Sequence, residues 1–313
     1  MTLPSFYDRS KVGQYYEPDF QRAFLAGTQS QAAIERTSAL EKVSAHSESP
    51  STKTLLWLID IQIDFVFPNG RLAVANAVSD TQRLIEWIYR NTASISQISA
   101  SLDTHTPYQI FHPAWWVDQN GQHPAPFTPI SAEQVLKQEW QALYDPEWSL
   151  NYVQQLEQDG KKQLMIWPLH CLQGTTGAAL VPALSEAIAY HAGARRVDPH
   201  YQVKGTTPQS EFYSVLEPEV PFEEGHSLNR DYLAFIASHD RIYIAGQARS
   251  HCVLETLGTY IRSFQDQPQQ IQKLHLLDDC SSCIAGYEET TASQLAAYVE
   301  QGLQLVSSEM TLL

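Results

Sequence analysis

The sequence is poor in cysteine and in basic residues, and it contains no long apolar run. Four cysteines in 313 residues are too few for a disulfide framework, so we expect a reducing, cytoplasmic environment. Lys and Arg number 20 against 35 Asp and Glu, a balance that argues against a nucleic-acid partner or an anionic membrane. The absence of roughly 18 consecutive apolar residues excludes a membrane-spanning helix. The first residues, MTLPSFYDRSKVGQYYEPDF, also lack the apolar segment of a secretory signal.

The composition that remains is that of a globular protein, with 43% hydrophobic and 11% aromatic residues. Residues 1–53 form a polar N-terminal segment, which we call the arm. A helix is predicted in the arm from Asp19 to about Ala45, and several aromatic residues could anchor it. We therefore expect the arm to wrap either the domain that follows or a neighbouring subunit, which favours a homo-oligomer.

From Thr54 onward, apolar strands alternate with amphipathic helices. Strands are predicted at 54–60, 95–103, 162–168, within 195–205, and at 240–246, 272–280 and 303–307. Helices are predicted at 79–91, 177–191, 228–239, 251–264 and 289–302. This alternation predicts an α/β fold over 54–313, with a doubly wound, mainly parallel six-stranded sheet and helices on both faces. Residues 113–160, rich in Trp, Pro and Gln, interrupt the pattern and are expected to be an insertion near the rim.

Residues capable of acid–base, nucleophilic or metal chemistry follow the strands in the first part of the sheet. In chain order they are Asp60; Asp103 and His105; Trp167 and His170; Lys204; and Cys252. In open α/β sheets, sites form beyond the carboxyl ends of the strands. The sequence therefore predicts one site at this edge.

Cys252 follows a buried strand and a turn, at the start of a predicted helix. One interpretation is a small, inert, buried side chain. The other is a nucleophile, because a helix N-terminus and a cation such as Lys204 lower a thiol pKa. Asp60 would then move the proton. Taken singly, Asp60 could also cap a loop and Lys204 could be a solvated surface cation.

A second cluster predicts a metal site. Asp103-x-His105, followed by His112 and His170, is an oxygen-and-nitrogen set suited to Zn²⁺, Mn²⁺ or Fe²⁺. Each histidine alone could equally be structural.

Residues from about Thr54 to Ser308 resemble the nicotinamidase-type cysteine hydrolases of the isochorismatase-like superfamily. The matching segments are IDIQIDF, SLDTHTP, IWPLHCLQGTTGAAL, VKGTTPQSEFYS and IAGQARSHCVLET. The resemblance implies a catalytic triad of Asp60, Lys204 and Cys252. It also implies an oxyanion hole made by the amides of Ala248 and Cys252, with a cis peptide bond between Gln247 and Ala248.

The same resemblance implies a metal, most simply zinc, with manganese or iron as alternatives. The ligands would be Asp103, His105, His170 and a second histidine, which is His112 or, if the insertion has moved the ligand, His123. Phe65 and Trp167 match positions that sandwich the substrate ring, and Tyr213 and His251 are expected to line the same pocket. The implied reaction is hydrolysis of a small carboxamide, nicotinamide, to nicotinate and ammonia through a cysteine thioester.

Two alternatives stay open at this stage. The chain could hydrolyse another small amide or ester without a metal, or it could be a non-catalytic scaffold assembled through the arm. The run GQARS departs from the family's usual glycine–apolar–alanine–threonine–acid pattern and leaves the substrate open. Cys280-x-x-Cys283 has no second pair and is interpreted as structural.

Overall fold

The structure is a computed structural model that describes residues 3–43, 52–158, 163–222 and 227–312. The predicted end of the arm helix at Ala45 lies outside these residues. None of the helices in the described ranges has the length and apolar character needed to cross a membrane.

Six strands of the described chain form one parallel sheet. They are β1 (Thr54–Ile59), β2 (Gln97–Asp103), β7 (His200–Lys204), β8 (Arg241–Gly246), β9 (Leu274–Leu277) and β10 (Gln304–Val306). Their spatial order is β10-β9-β8-β1-β2-β7, and every neighbouring pair is parallel. The predicted six-stranded α/β fold is confirmed.

Strand β1 shows that the sheet is covered on both faces. All six of its residues are buried, and side chains of a strand point alternately to opposite faces. Leu56 and Leu58 join one apolar cluster, whereas Leu55, Trp57 and Ile59 join the other. A continuous apolar strand of this kind needs a helical layer on each side.

The helices supply these two layers. In chain order they are α1 (Phe20–Thr28), α2 (Gln31–Val43), α3 (Ile63–Val66), α4 (Ala77–Asn91), α5 (Ala132–Leu136), α6 (Pro146–Gln158), α7 (Pro182–Arg195), α8 (Arg230–Ala237), α9 (Leu254–Ser263), α10 (Pro268–Ile271) and α11 (Glu288–Glu300). Buried residues of α4 and α7 belong to the cluster of Leu56 and Leu58, and those of α8, α9 and α11 to the other.

The arm carries two helices where one was predicted, and it packs on its own chain. The chain leaves the helical path at Gln29 and Ser30, between α1 and α2. Helix α1 lies directly against α7, where Gly27 and Gly193 bring the two backbones together. An added Cβ would lie 2.0 Å from the carbonyl oxygen of Tyr190 at Gly27, and 2.2 Å from that of Phe24 at Gly193. The two glycines therefore set the close approach of these helices.

The strand predicted at 162–168 is not part of the main sheet, and this prediction was wrong. Its described residues form only β6 (Leu164–Met165), which pairs antiparallel with β4 (Pro129–Ile130) in the predicted insertion. The amides of Ile166 and Trp167 donate to the carbonyls of Thr128 and Phe111. The apolar run is buried, as its composition predicted, but its backbone partners come from the insertion and from Phe111 just before it.

The insertion adds a second small sheet, in which β3 (Trp116–Val117) pairs with β5 (Gln141–Ala142). The helix predicted at 177–191 begins instead at Pro182 and runs to Arg195. Proline fits the first turn of a helix because it lacks the N–H that the first turn leaves unpaired.

Candidate active site

The site lies where the strand order reverses. The chain adds β2 and β7 on one side of β1 and then returns to place β8 on the other. Such a reversal leaves a crevice at the carboxyl ends of the strands. Asp60 follows β1, and Cys252 lies in the wide helical turn Arg249–Val253 that follows β8. The topology therefore places both residues at this crevice.

Lys204 joins two carboxylates that lie at the ends of other strands. Its Nζ lies 2.9 Å from Oδ2 of Asp60 and 3.0 Å from Oδ1 of Asp103. It also donates to the carbonyl oxygen of Phe212 at 2.6 Å and lies 3.7 Å from Sγ of Cys252. Burial opposes the charge on Lys204, but the carboxylates of Asp103 and Asp60 prevail and hold its pKa well above the usual range. Lys204 is a buried cation, not a solvated surface residue.

Asp60 is fully buried, in the left-handed conformation with φ of 50°. Oδ1 accepts a hydrogen bond from Oγ of Ser101 at 2.5 Å. Burial raises the pKa of Asp60, Lys204 lowers it, and the net shift is upward. A carboxylate with a raised pKa beside a thiol can take up and return a proton.

The thiol of Cys252 is more deeply buried than its predicted helix-start position suggested. It is 6% exposed, and burial raises its pKa well above the usual range despite the opposing effect of Lys204. Lys204 acts on this pKa in the predicted direction, but burial outweighs it and the expected net lowering is not found. A protonated thiol beside Asp60 needs a base at the moment of attack.

The turn before Cys252 has the predicted backbone. The bond between Gln247 and Ala248 is cis, and the carbonyl of Ala248 accepts from the amides of His251 and Val253 at 3.1 and 3.2 Å. Ala248 and Cys252 both line the same narrow cavity. The structure thus places the two residues of the predicted oxyanion hole at one cavity wall.

The predicted metal ligands converge on the other side of Lys204. Nε2 of His105 lies 2.9 Å from Oδ2 of Asp103, and Nε2 of His170 lies 3.8 Å from the same oxygen. Among the described residues, these three form the group that could hold a metal ion. The position after Lys204 must be glycine, because a Cβ at Gly205 would lie 2.6 Å from Oδ1 of Asp103 and 2.7 Å from the His105 ring.

The three histidines are oriented in the same way by the backbone. Nδ1 of His105, His112 and His170 lies 3.0, 3.0 and 2.8 Å from the carbonyl oxygens of Gly205, Thr106 and Pro168. At His112 and His170, donation from Nδ1–H leaves the lone pair on Nε2, which is the state that binds a metal. His105 differs, because burial opposes its charge but the carboxylate of Asp103 beside its Nε2 prevails and raises its pKa. Burial lowers the pKa of His112 to about 4 and that of His170 to about 3, so both rings are neutral. These residues fit a divalent cation.

The structure separates the two candidates for the second histidine. The His112 ring lies 5.8 Å from His105 and 6.1 Å from His170, measured between centroids. Its Nε2 is buried without a hydrogen-bond partner in the described structure. His123 is exposed, and its Nδ1 contacts the carbonyl oxygens of Pro113 and Trp116 instead. Of the two candidates, His112 is the one that lies beside His105 and His170.

All four predicted substrate-binding residues line the cavity in front of Cys252. These residues are Phe65, Trp167, Tyr213 and His251. Trp167 donates from its indole N–H to the hydroxyl of Tyr213 at 3.0 Å, and the His251 ring meets both aromatic rings edge-on. The result is an aromatic wall beside the group of Asp103, His105 and His170 that could hold a metal ion.

Sequence reasoning missed three further lining residues, namely Leu72, Glu211 and Ile284. Leu72 and Ile284 lie in loops without a periodic pattern. Glu211 could have been suspected, because it is a lone acid between Lys204 and the aromatic pair Phe212 and Tyr213. Burial raises its pKa to about 7, and its Oε1 accepts from the amide of Phe212.

The curated relative and several of the solved structures to which this chain is similar are nicotinamidases. No family model matches the chain. A curated relative, the nicotinamidase of Saccharomyces cerevisiae, is 26% identical over 133 residues, which cover 37% of this chain and 56% of the relative. The chain thus spans little more than half the length of that relative.

Solved structures match over a longer range. The yeast nicotinamidase Pnc1p bound to the inhibitor nicotinaldehyde aligns with a TM-score of 0.57 at 17% identity, covering 81% of this chain and 99% of that one. The nicotinamidase/pyrazinamidase of Acinetobacter baumanii gives a TM-score of 0.55 at 18% identity, covering 84% and 99%. The protein PnC1 of L. infantum in complex with nicotinate gives 0.51 at 18% identity, covering 85% and 98%. These matches show that the chain has the fold of nicotinamidases.

Proposed function

We propose that this protein is a cysteine amidohydrolase that converts nicotinamide to nicotinate and ammonia. The observation that carries the proposal is the grouping of Asp60, Lys204 and Cys252 at the strand reversal, beside a histidine cluster and an aromatic cavity. The structural relatives with the same fold include one bound to nicotinaldehyde and one bound to nicotinate. Both ligands are pyridine rings of the size of the proposed substrate.

In the first half of the reaction, the Cys252 thiol transfers its proton to the carboxylate of Asp60 as its sulfur bonds to the carboxamide carbon. The carbonyl electron pair moves onto oxygen, where the amides of Ala248 and Cys252 stabilise it. Such preorganised donors contribute on the order of 10²–10³ in rate. The C–N bond then breaks, the leaving nitrogen takes the proton back from Asp60, and ammonia departs from a thioester.

In the second half, Asp60 removes a proton from water as the water oxygen bonds to the thioester carbon. The C–S bond breaks, the sulfur regains the proton, and the carboxylic acid leaves. Lys204 keeps its charge throughout, because two buried carboxylates surround it. It therefore stabilises the negative charge on Asp60 before proton transfer and the charge on sulfur during it.

Asp103, His105, His170 and His112 would hold a divalent cation, for which zinc is the expected ion and manganese or iron the alternatives. A bound cation would supply a Lewis-acidic partner for the ring nitrogen of the substrate. The protein's own contribution is orientation, since the aromatic wall of Trp167 and Tyr213 restricts how a flat ring can lie before Cys252. Restricting a reactant to one geometry is a large source of rate.

The remaining sequence predictions complete the proposal. Residues 54–313 would form the hydrolase domain and 1–53 an arm that docks on it, with the insertion near 113–160 shaping the pocket entrance. Phe127 of the insertion supports this last point, because its ring lies edge-on to Trp167 with 5.9 Å between centroids. A homo-oligomer in the cytoplasm stays a prediction.

Ammonia release from nicotinamide, measured on the purified full chain before and after chelation and metal restoration, tests the proposal. We expect release that chelation abolishes and zinc restores, and no release by Cys252→Ala with unchanged folding. Activity that survives chelation would favour the metal-independent alternative. Absence of release across a panel of small amides and esters would contradict the proposal and favour a non-catalytic role.

A further inference from the structure

The run GQARS, whose departure from the family pattern the reaction does not explain, is anchored by Gln247. This side chain is 1% exposed, although it is polar. Its Nε2 donates to Oδ2 of Asp80 at 3.0 Å, and its Oε1 accepts from the amide of Ser282 at 3.3 Å. Its backbone amide donates to the carbonyl oxygen of Ile59, at the end of β1, at 2.9 Å. Gln247 is therefore held at three points.

Asp80 is the fixed end of this contact. It lies in the first turn of α4 and is 2% exposed. Its Oδ1 accepts from a guanidinium nitrogen of Arg83 at 2.6 Å, and that guanidinium also donates from Nε to the carbonyl of Asp279 at 2.6 Å. A buried carboxylate needs such partners, because an unpaired one is costly. Helix α4 thus offers Gln247 a rigid acceptor.

The loop 281–284 connects the same contact to the cavity. The amide of Arg249 donates to the carbonyl of Ser282 at 2.8 Å, and the amide of Ile284 donates to Oγ of Ser250 at 3.1 Å. Ile284 and Ala248 both line the cavity. The residues on both sides of Ala248 are consequently tied to one loop, and the loop is tied to α4 through Asp80 and Gln247.

We propose that Asp80 and Gln247 are positioning residues that fix the orientation of the Ala248 amide in the oxyanion hole. This inference rests on the proposed function, since it concerns the step in which that amide binds the oxyanion. The Ala248 N–H belongs to the peptide unit that begins at Gln247, so the anchoring of the Gln247 side chain restricts rotation of that unit. An oxyanion hole acts only if its donors point to where the charge develops, and a displacement of about 1 Å can cost about 10²-fold in rate.

An apolar residue at position 247 would fill the same space as glutamine. It would leave Oδ2 of Asp80 and the amide of Ser282 without their present partner. Gln247→Leu removes the donor to Asp80 and the acceptor for the Ser282 amide, both in buried surroundings. Groups left unpaired in this way attract water or move. Gln247 and Asp80 therefore depend on each other, because the buried carboxylate of Asp80 needs the donor that glutamine supplies.

The test compares variants that add a carboxylate at position 247 and then remove the one at position 80, with kcat and KM measured on the full chain loaded with zinc. Gln247→Glu places two buried carboxylates face to face, and we expect kcat for nicotinamide to fall about 10- to 100-fold with KM nearly unchanged, since the lost interaction is made only in the transition state. In the double variant Asp80→Asn, Gln247→Glu, the amide at position 80 can donate to the carboxylate at position 247, so the pair again has one donor and one carboxylate. We expect this variant to recover most of the lost kcat. Binding of the aldehyde of the same ring, which forms a tetrahedral adduct with a thiol, should follow kcat across the series.

Asn91→Ala is the matched control. Asn91 is at the other end of α4, is 1% exposed, and accepts from the amide of Leu312 at 2.7 Å. We expect this variant to lose thermal stability without losing kcat. Equal kcat in Gln247→Glu and wild type, or no recovery in the double variant despite restored stability, would overturn the inference.

Hydrogen exchange separates this inference from the proposed function. We expect faster deuterium uptake in the peptide spanning 247–253 in Gln247→Glu and wild-type uptake in the double variant. If the wild type hydrolyses no amide, the proposed function fails while the exchange result still decides whether Asp80 and Gln247 hold this turn. Unchanged uptake in Gln247→Glu would contradict the positioning role even in an active enzyme.

Discussion

The ammonium group of Lys204 lies 2.9 Å from Oδ2 of Asp60. The two residues meet although β7, which ends at Lys204, and β1, which precedes Asp60, are separated by β2. The long lysine side chain passes the end of β2, where Asp103 pairs in register with Lys204. One cation thus neutralises two carboxylates that belong to different functions in the proposed site. Asp60 faces the thiol, and Asp103 faces the histidines.

Lys204→Met should abolish turnover and also destabilise the fold. It leaves two carboxylates buried without a counter-charge, and removing one partner of a buried ion pair costs about 3–5 kcal/mol. Urea unfolding and the ammonia assay measure the two effects. Lys137→Met is the control, because the Lys137–Glu133 pair is exposed and such pairs contribute about 0–1 kcal/mol. Comparable effects of the two substitutions would contradict the account.

His112→Ala should weaken metal binding, whereas His123→Ala should leave it intact. Nε2 of His112 is buried beside the cluster, while His123 faces the surface of the insertion. We expect the metal content after dialysis against a weak chelator to fall severalfold in His112→Ala only. Elemental analysis of the purified variants measures this, and a loss confined to His123→Ala would restore the other assignment.

Gly27→Ala should lower the free energy of unfolding by about 1–3 kcal/mol, the usual cost of overpacking. In an exposed helix the same change would stabilise the fold by up to about 1 kcal/mol. The sign of the change in unfolding free energy therefore shows whether Gly27 is packed against α7. The reason is the carbonyl of Tyr190 on α7, which an added Cβ would meet. Gln21→Ala, at an exposed position of the same helix, is the control. A stabilised Gly27→Ala variant would show that α1 does not pack on α7 in solution.

Glu211→Gln should change how stability depends on pH. Burial raises the pKa of Glu211 to about 7, above its unfolded value, so the folded state binds an extra proton between roughly pH 4.5 and 7. Stability attributable to this carboxyl is therefore present at low pH and lost as pH rises through that window. We expect the variant to gain more stability over wild type at pH 8 than at pH 5, by denaturant unfolding.

Glu139→Gln, at an exposed position, serves as the reference for removing one negative charge from the acidic chain. It should shift stability little and equally at the two pH values. A Glu211→Gln variant that shows the same flat difference would mean that the carboxyl is ionised in the folded protein at both pH values.

The sequence was most informative where one strand or one motif decides the outcome. The apolar run of β1 required two helical layers, and the structure has them. Asp60, Lys204 and Cys252 could be expected to meet because the carboxyl ends of parallel strands share an edge. The catalytic roles of these residues stay predictions, whereas their proximity is a structural finding.

The features that the sequence did not predict share a physical cause. A local sequence pattern does not show which distant segment the residues will contact in the fold. The strand at 164–165 is apolar, but its partner in the insertion could not be deduced from its own residues. The contact between Gln247 and Asp80 joins positions 167 residues apart. The raised pKa of Cys252 likewise depends on burial by residues from distant segments, and the helix-terminus argument considered only the adjacent ones.

The most direct test of the central claim is mass spectrometry of the protein quenched in acid during turnover of nicotinamide. We expect the peptide that contains Cys252 to carry one nicotinoyl group, bound as a thioester that hydroxylamine removes, and Cys252→Ala to carry none. Asp60→Asn should not form the adduct, because the buried thiol would keep its proton. Turnover by the wild type without any adduct on Cys252, or with an adduct on another residue, would contradict the account.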